Sequence, residues 1–196
     1  STVMKIAQTA LLAALCYVIF TYLQIKIPMP GGDATSIHLG NEFCVLAALL
    51  LGGWYGGLAG AIGMGIADVM DPIYITGAPK TFILKLCIGL ITGLVAHKIA
   101  KINESTDKKY IFKWSLLASV AGLAFNVIAD PIVGYFYKQY ILGQPQQMAE
   151  VLAKWSAAAT FVNAILSTIV VVIIYNALRP ALAKSGMLEV GKTKEA

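Results

Sequence analysis

From about Ala157 to Leu178 the chain carries no charged residue, and the run is slightly longer than the roughly 20 apolar residues that take a helix across about 30 Å of hydrocarbon. Five more windows approach the same demand: about Ile6 to Ile25, Ile37 to Leu51, Trp54 to Val69, Thr81 to Ile99 and Trp114 to Tyr137. The second and third are short. The third is rich in glycine, with Gly56, Gly57, Gly60, Gly63 and Gly65 allowing close helix contact. The first stops at Pro28-Met29-Pro30-Gly31-Gly32, a cluster that cannot continue a helix. Lys5 ahead of that first window suits a signal peptide, but the apolar run exceeds a signal core and no small-x-small site precedes the prolines, so it reads as a span. Composition agrees, with 58% of residues hydrophobic and 13% charged, where soluble domains carry about 45–50% and 25%. A disordered chain or a nucleic-acid binder with dense basic stripes is excluded on the same ground. The expected fold is an all-α integral membrane protein of six transmembrane helices, with residues 1–180 as a single membrane domain and 181–196 as a cytoplasmic tail.

Orientation follows from basic residues, which cytoplasmic segments retain. With the N-terminus inside, the inner segments hold ten Lys and Arg against four acidic residues, and the outer half holds five against six. The net is +6 inside and −1 outside, which puts both termini in the cytoplasm and calls for an even number of helices. Cys16, Cys44 and Cys87 all lie inside apolar runs without a C-x-x-C pair, so they read as small core residues rather than as disulfides or metal ligands. No cofactor or metal is implied. The sequence has no H-E-x-x-H and no G-x-S-x-G, and its one G-x-x-x-x-G-K-[ST] string, Gly186 to Thr193, follows an apolar span rather than a strand, so any ATP hydrolysis is expected of another chain.

Polar residues at membrane depth are costly and therefore either pair or line a site. Here they gather toward the outer helix ends: Ser36, His38, Asn41 and Glu42; Asp68 and Asp71; Lys80, Thr81 and Lys85; Asn126, Asp130 and Tyr137; Trp155 and Asn163. One-sided clustering points to a pocket open to the outside, since a channel needs polar groups along its whole depth. Thr81 with Lys85, and Asn126 with Asp130, share helix faces at i,i+4. Lys85 reads equally as a ligand or ion-pair partner and as a shallow side chain snorkelling to the interface. Asp130, before Pro131, reads as a site residue or as a kink whose carboxylate pairs with Lys80 or Lys85. Asp68 and Asp71-Pro72 read first as the end of the third helix. Tyr74 and Trp155 adjoin the cluster, whereas Trp54, Tyr55 and Trp114 read as interfacial belt residues.

Ala10 and Ala14 form an A-x-x-x-A stripe in the first helix. With six helices, both ends inside, a Pro-Gly-rich first outer loop and an outward polar cluster, the chain resembles the S component of an energy-coupling factor (ECF) vitamin transporter. Ser36-Ile37-His38-Leu39-Gly40-Asn41, Leu49-Leu50-Leu51-Gly52-Gly53-Trp54-Tyr55-Gly56-Gly57 and Ala78-Pro79-Lys80-Thr81 look like the riboflavin-annotated branch, which includes hydroxymethylpyrimidine and pyridoxine carriers. The resemblance implies a non-enzymatic, multi-pass subunit of the bacterial cytoplasmic membrane. Such a subunit binds one vitamin from outside, docks by its first helix on a transmembrane coupling subunit carrying two ATPase subunits, and topples in the lipid bilayer to deliver its load. Carried over by position, the resemblance makes Gly31 and Gly32 hinges of a lid spanning Met29 to Thr35 and Ala10 and Ala14 the docking stripe. It makes His38, Asn41, Lys80, Lys85, Asn126, Asp130, Tyr137 and Asn163 the substrate-binding residues. A hydroxymethylpyrimidine or pyridoxine-like ring is the first expectation; pantothenate, which needs Lys80 or Lys85 unpaired, and riboflavin, which needs a larger slot, are alternatives. A self-sufficient secondary transporter would show an inverted repeat with broken helices, and none is visible.

Overall fold

The structure, a computed structural model, describes residues 1–191. Six α-helices are present among the described residues. Helix α1 spans Thr2–Tyr22 and opens on Ser1, whose hydroxyl accepts the Met4 N–H at 3.3 Å. Strands β1 (Gln24–Pro28) and β2 (Ala34–His38) follow as an antiparallel hairpin. Then come α2 (Gly40–Leu51), α3 (Gly53–Val69) and α4 (Ala78–Gly93), the last continuing through wider π-type turns to Ile99. Helix α5 (Lys108–Phe136) continues likewise to Ile141, and α6 covers Gln146–Lys184.

The bundle is all-helical as expected, with one addition: the Pro-Gly segment forms a two-stranded hairpin, and both neighbouring windows overran it. Helix α1 ends at Tyr22 rather than at Ile25, and Ile37 and His38 belong to β2 rather than to α2. The physical cause is the alternation Gln24-Ile25-Lys26-Ile27, which carries its apolar residues at period two and pairs Ile25 with Ile37. The spans are also unequal. Helices α1, α4, α5 and α6, the middle two with their flanking turns, are long and apolar enough to cross a bilayer. Helix α2 has 12 residues and α3 has 17, about 18 and 25 Å at the helical rise. Helix α6, at 39 residues, outruns the expected window of 157–178 at both ends. The expected tail is described only to Gly191; Lys192, Lys194 and Glu195 of the charge count lie outside the described residues.

Helices α2 and α3 meet at Gly52, whose φ of 94° makes the reversal in one residue. Helix α2 is almost wholly enclosed by the others, and its Val45 and Leu49 join Ile88, Leu123, Val171 and Tyr175 in one core. Helices α3 and α4 touch backbone to backbone: a Cβ on Gly89 would run into Gly57, and one on Gly93 into Gly53. Between apolar helices in lipid, such close packing replaces the hydrophobic drive available in water. Ile128, Ile132, Phe161 and Ile173 face outward around the bundle.

The two ends of the bundle differ. At one end lie the hairpin, the 70–77 loop, the end of α5 and the start of α6. At the other, Arg179 bonds Asn103, Tyr175 and the carbonyls of Ile102 and Ser105, His97 bonds the Ala48 carbonyl, and Lys5 sits over Tyr55. The first and last helices therefore begin and end, respectively, at the end away from the hairpin. Ser115 and Ser119, buried toward that end, bond carbonyls of their own helix.

Candidate functional site

Beneath the hairpin is a cavity of about 150 Å³. Its wall takes His38 from β2, Asn41 from the first turn of α2, Lys80 and Lys85 from α4, Asn126 and Asp130 from α5, Tyr137 from the end of α5 and Asn163 from α6. All eight residues expected at a binding site thus line one cavity. Chain alternation explains the convergence: β2 leads into α2, α4 starts at this end, α5 finishes here and α6 sets out from here. The i,i+4 spacing of Asn126 and Asp130 then points both inward from α5.

Hydrogen bonding divides the eight into two groups. Asp130 receives three donors: Lys80 Nζ at 3.1 Å, Thr160 Oγ1 at 3.3 Å and Ser156 Oγ. The pairing of Asp130 with Lys80 is one of those foreseen, and α5 runs unbroken through Pro131. Asn163 spends its amide on β2, accepting the His38 N–H at 3.1 Å and donating to the Ser36 carbonyl at 2.9 Å. His38 Nδ1 accepts the Gly40 N–H at 3.0 Å, which leaves the ring proton on Nε2. Tyr137 donates to the Thr76 carbonyl and ties the 70–77 loop to α5. These five residues build the wall. Lys85, Asn41 and Asn126 keep their polarity free: Lys85 has no ion pair or hydrogen bond among the described residues, and the side-chain oxygens of Asn41 and Asn126 are buried without a partner. Lys85 is only 8% exposed, so the snorkelling reading is corrected; two turns into α4, its side chain ends in the cavity wall rather than at the interface.

Sequence reasoning left out several wall residues. Asp68, read first as a helix end, sits in the last turn of α3 and in the cavity lining, 4% exposed, accepting a hydrogen bond from Thr81 Oγ1 at 2.5 Å. A carboxylate closing an apolar glycine-rich helix on the same side as Lys80 and Lys85 was the available signal. Tyr74 lines the cavity and bonds Gln24 and the Thr35 carbonyl, whereas Trp155 is outside the lining and exposed. Phe20, Met29, Met64 and Leu152 supply apolar wall, and Phe20 meets the His38 ring edge-on at 4.7 Å.

The hairpin covers the cavity and, besides the Tyr74 bonds, is pinned at three places. Asp33 pairs with Lys138 at the end of α5, Lys26 pairs with Asp71, and Asn163 holds β2. Its tip uses Gly31 and Gly32, both at φ 78°, a region that side-chain-bearing residues avoid. Slight burial pulls the Asp71 carboxyl up, but the Lys26 hydrogen bond, the Ile73 N–H and the Lys26 charge outweigh it and hold Asp71 below the usual carboxylate range.

A second depression, apolar and about 600 Å³, runs along the outer face between α1 and α3. Ala10 and Ala14 line it and are exposed, as are Ile6 and Ile62, and half-buried Tyr17 and Leu58 complete its wall.

Over residues 1–180 the sequence matches the family model described as ECF-type riboflavin transporter, S component. Among solved structures, ThiT from Listeria monocytogenes is similar, with a TM-score of 0.64 over 93% of this chain and 97% of that one at 17% identity. At that identity the likeness is one of fold. No curated protein sequence matches the chain.

Proposed function

Because the chain belongs to the ECF-type riboflavin transporter S-component family, a family of multi-pass membrane subunits for vitamin uptake, we propose that it binds one single-ring B vitamin or precursor in the cavity beneath its hairpin. Hydroxymethylpyrimidine or a pyridoxine-like ring is the favoured ligand. The observation that carries this reading is the cavity itself: about 150 Å³, with polar residues from β2, α2, α3, α4, α5 and α6 in its wall, a volume comparable with cavities that take up one benzene-sized ring. Riboflavin, with three fused rings and a ribityl chain, needs several times that space. Pantothenate has one point in its favour, the unpaired Lys85.

In this reading the chain sits in the bacterial cytoplasmic membrane with both termini in the cytoplasm, following the +6 to −1 charge division. The cavity then opens outward and the hairpin is its lid. The small-residue face of Ala10 and Ala14, exposed along an apolar groove on α1, suits close approach of a transmembrane helix from a coupling subunit. Two ATPase subunits behind that coupling subunit supply the energy, and the loaded chain topples to present its cavity to the cytoplasm.

Native mass spectrometry of the purified chain tests the ligand. The expected result is a 1:1 adduct with the mass of a single-ring B vitamin, retained from the host or restored on addition. A flavin adduct, or no adduct with any B vitamin, would overturn it.

A further inference from the structure

The cavity wall contains three lysines, Lys80, Lys85 and Lys138, and three aspartates, Asp33, Asp68 and Asp130. Two of each are spent on one another, as Lys80 with Asp130 and Lys138 with Asp33. Lys85 and Asp68 are left. They form no ion pair with each other or with any described residue. Asp68 has one side-chain hydrogen bond, from Thr81, and Lys85 lies one turn further along α4 than Thr81, about 6 Å deeper at the helical rise. A cation and a carboxylate, each more than nine-tenths buried, thus face the cavity at two depths without an ion-pair partner among the described residues. At membrane depth that arrangement is expensive unless something else completes it.

We propose that Lys85 and Asp68 hold opposite edges of a dipolar heteroaromatic ring, Lys85 binding an acceptor or oxyanion on one edge and Asp68 a hydrogen-bond donor on the other. This rests on the vitamin-binding reading of the cavity. The pair is neutral as a unit, so it selects a ligand that is neutral overall with its polarity separated. A carboxylate ligand would satisfy Lys85 and be opposed by Asp68. Asn41 Oδ1 and Asn126 Oδ1, buried without partners in the same wall, are two further acceptors and call for donors on the ligand, such as hydroxymethyl or amino groups. One acceptor edge with several donors is the pattern of a hydroxylated pyridine or an aminopyrimidine. It is not that of an acyclic carboxylic acid.

The test is calorimetric titration of the purified full chain with pyridoxine, hydroxymethylpyrimidine and pantothenate. One of the two ring compounds should bind more tightly than pantothenate, and Lys85→Met and Asp68→Asn should each weaken that ring's binding on the order of 10- to 100-fold, the range for a charged hydrogen bond. Should a variant fail to fold, the wild-type chain still decides the matter, because the ring analogue lacking the acceptor on the Lys85 edge should lose a similar factor. Where Lys85→Met does fold, it should be indifferent to that change in the ligand. Ring binding altered less than twofold by both substitutions, or pantothenate binding tightest and strengthened by Asp68→Asn, overturns the assignment while leaving a vitamin-binding cavity. No binding of any of the three, nor of riboflavin, overturns the vitamin-binding reading and this assignment with it.

Discussion

Asn163 uses both ends of its amide on the backbone of β2, one accepting from the His38 N–H and the other donating to the Ser36 carbonyl. Both backbone groups are buried, so neither has water to fall back on. Replacing Asn163 by Ala strands two polar groups at about 1–3 kcal/mol each. The expected outcome is a lower Tm and faster amide exchange at His38, with slower exchange elsewhere in the bundle unaffected; unchanged exchange at His38 would show that the lid does not depend on this bond. At the level of single residues the sequence was informative about which side chains gather at the cavity and left open which lysine pairs with Asp130. A charge or amide at membrane depth is conspicuous one residue at a time, which is why His38, Asn41, Lys80, Lys85, Asn126, Asp130, Tyr137 and Asn163 could be picked out. Whether Lys80 or Lys85 takes Asp130 depends on a turn of helix rotation that no local pattern encodes. Asp68 was passed over because its neighbours Asp71-Pro72 explain it equally well as a helix end.

The hairpin is the element that local patterning concealed. Apolar windows counted Ile25 and Ile37 as helix, because an alternating strand contributes half its residues to an average that ignores period. The Pro28 to Gly32 cluster marked the turn correctly and left the strands around it unassigned. One of the pins that hold this element down is titratable from outside the membrane spans. Asp71 lies below the usual carboxylate range mainly through Lys26, so the pair's stabilisation is complete above the ordinary carboxylate pKa of about 3.9 and is lost as pH falls through the lower folded value. The pair is part-exposed and worth no more than about 1 kcal/mol. The Tm of the wild-type chain should therefore exceed that of Asp71→Asn by a small, constant margin at neutral pH, and the margin should close below about pH 4. A margin that persists undiminished to about pH 3 would rule out the Lys26 pair as its source.

As a whole molecule, the chain separates its tasks by end and by face. The hairpin end carries the cavity, the opposite end carries Arg179 and its neutral acceptors, and the α1–α3 face carries the small-residue groove. Helix number, helix order and the one-sided placement of polar residues were legible because the bilayer imposes a length on every span and a cost on every charge. The short α2 and α3 were flagged as short windows, but the enclosure of α2 and the close packing of α3 on α4 were not legible, since they depend on backbone contacts such as Gly56 against Ala48 and Gly57 against Gly89. Uptake of radiolabelled pyridoxine or hydroxymethylpyrimidine into proteoliposomes separates a binding subunit from a self-sufficient transporter. The expected outcome is no accumulation with the chain alone, ATP-dependent accumulation when an ECF coupling subunit and its two ATPases are co-reconstituted, and loss of that accumulation in the Ala10→Trp, Ala14→Trp double variant with ligand binding intact. Accumulation by the chain alone, without ATP or partners, would refute the binding-subunit reading.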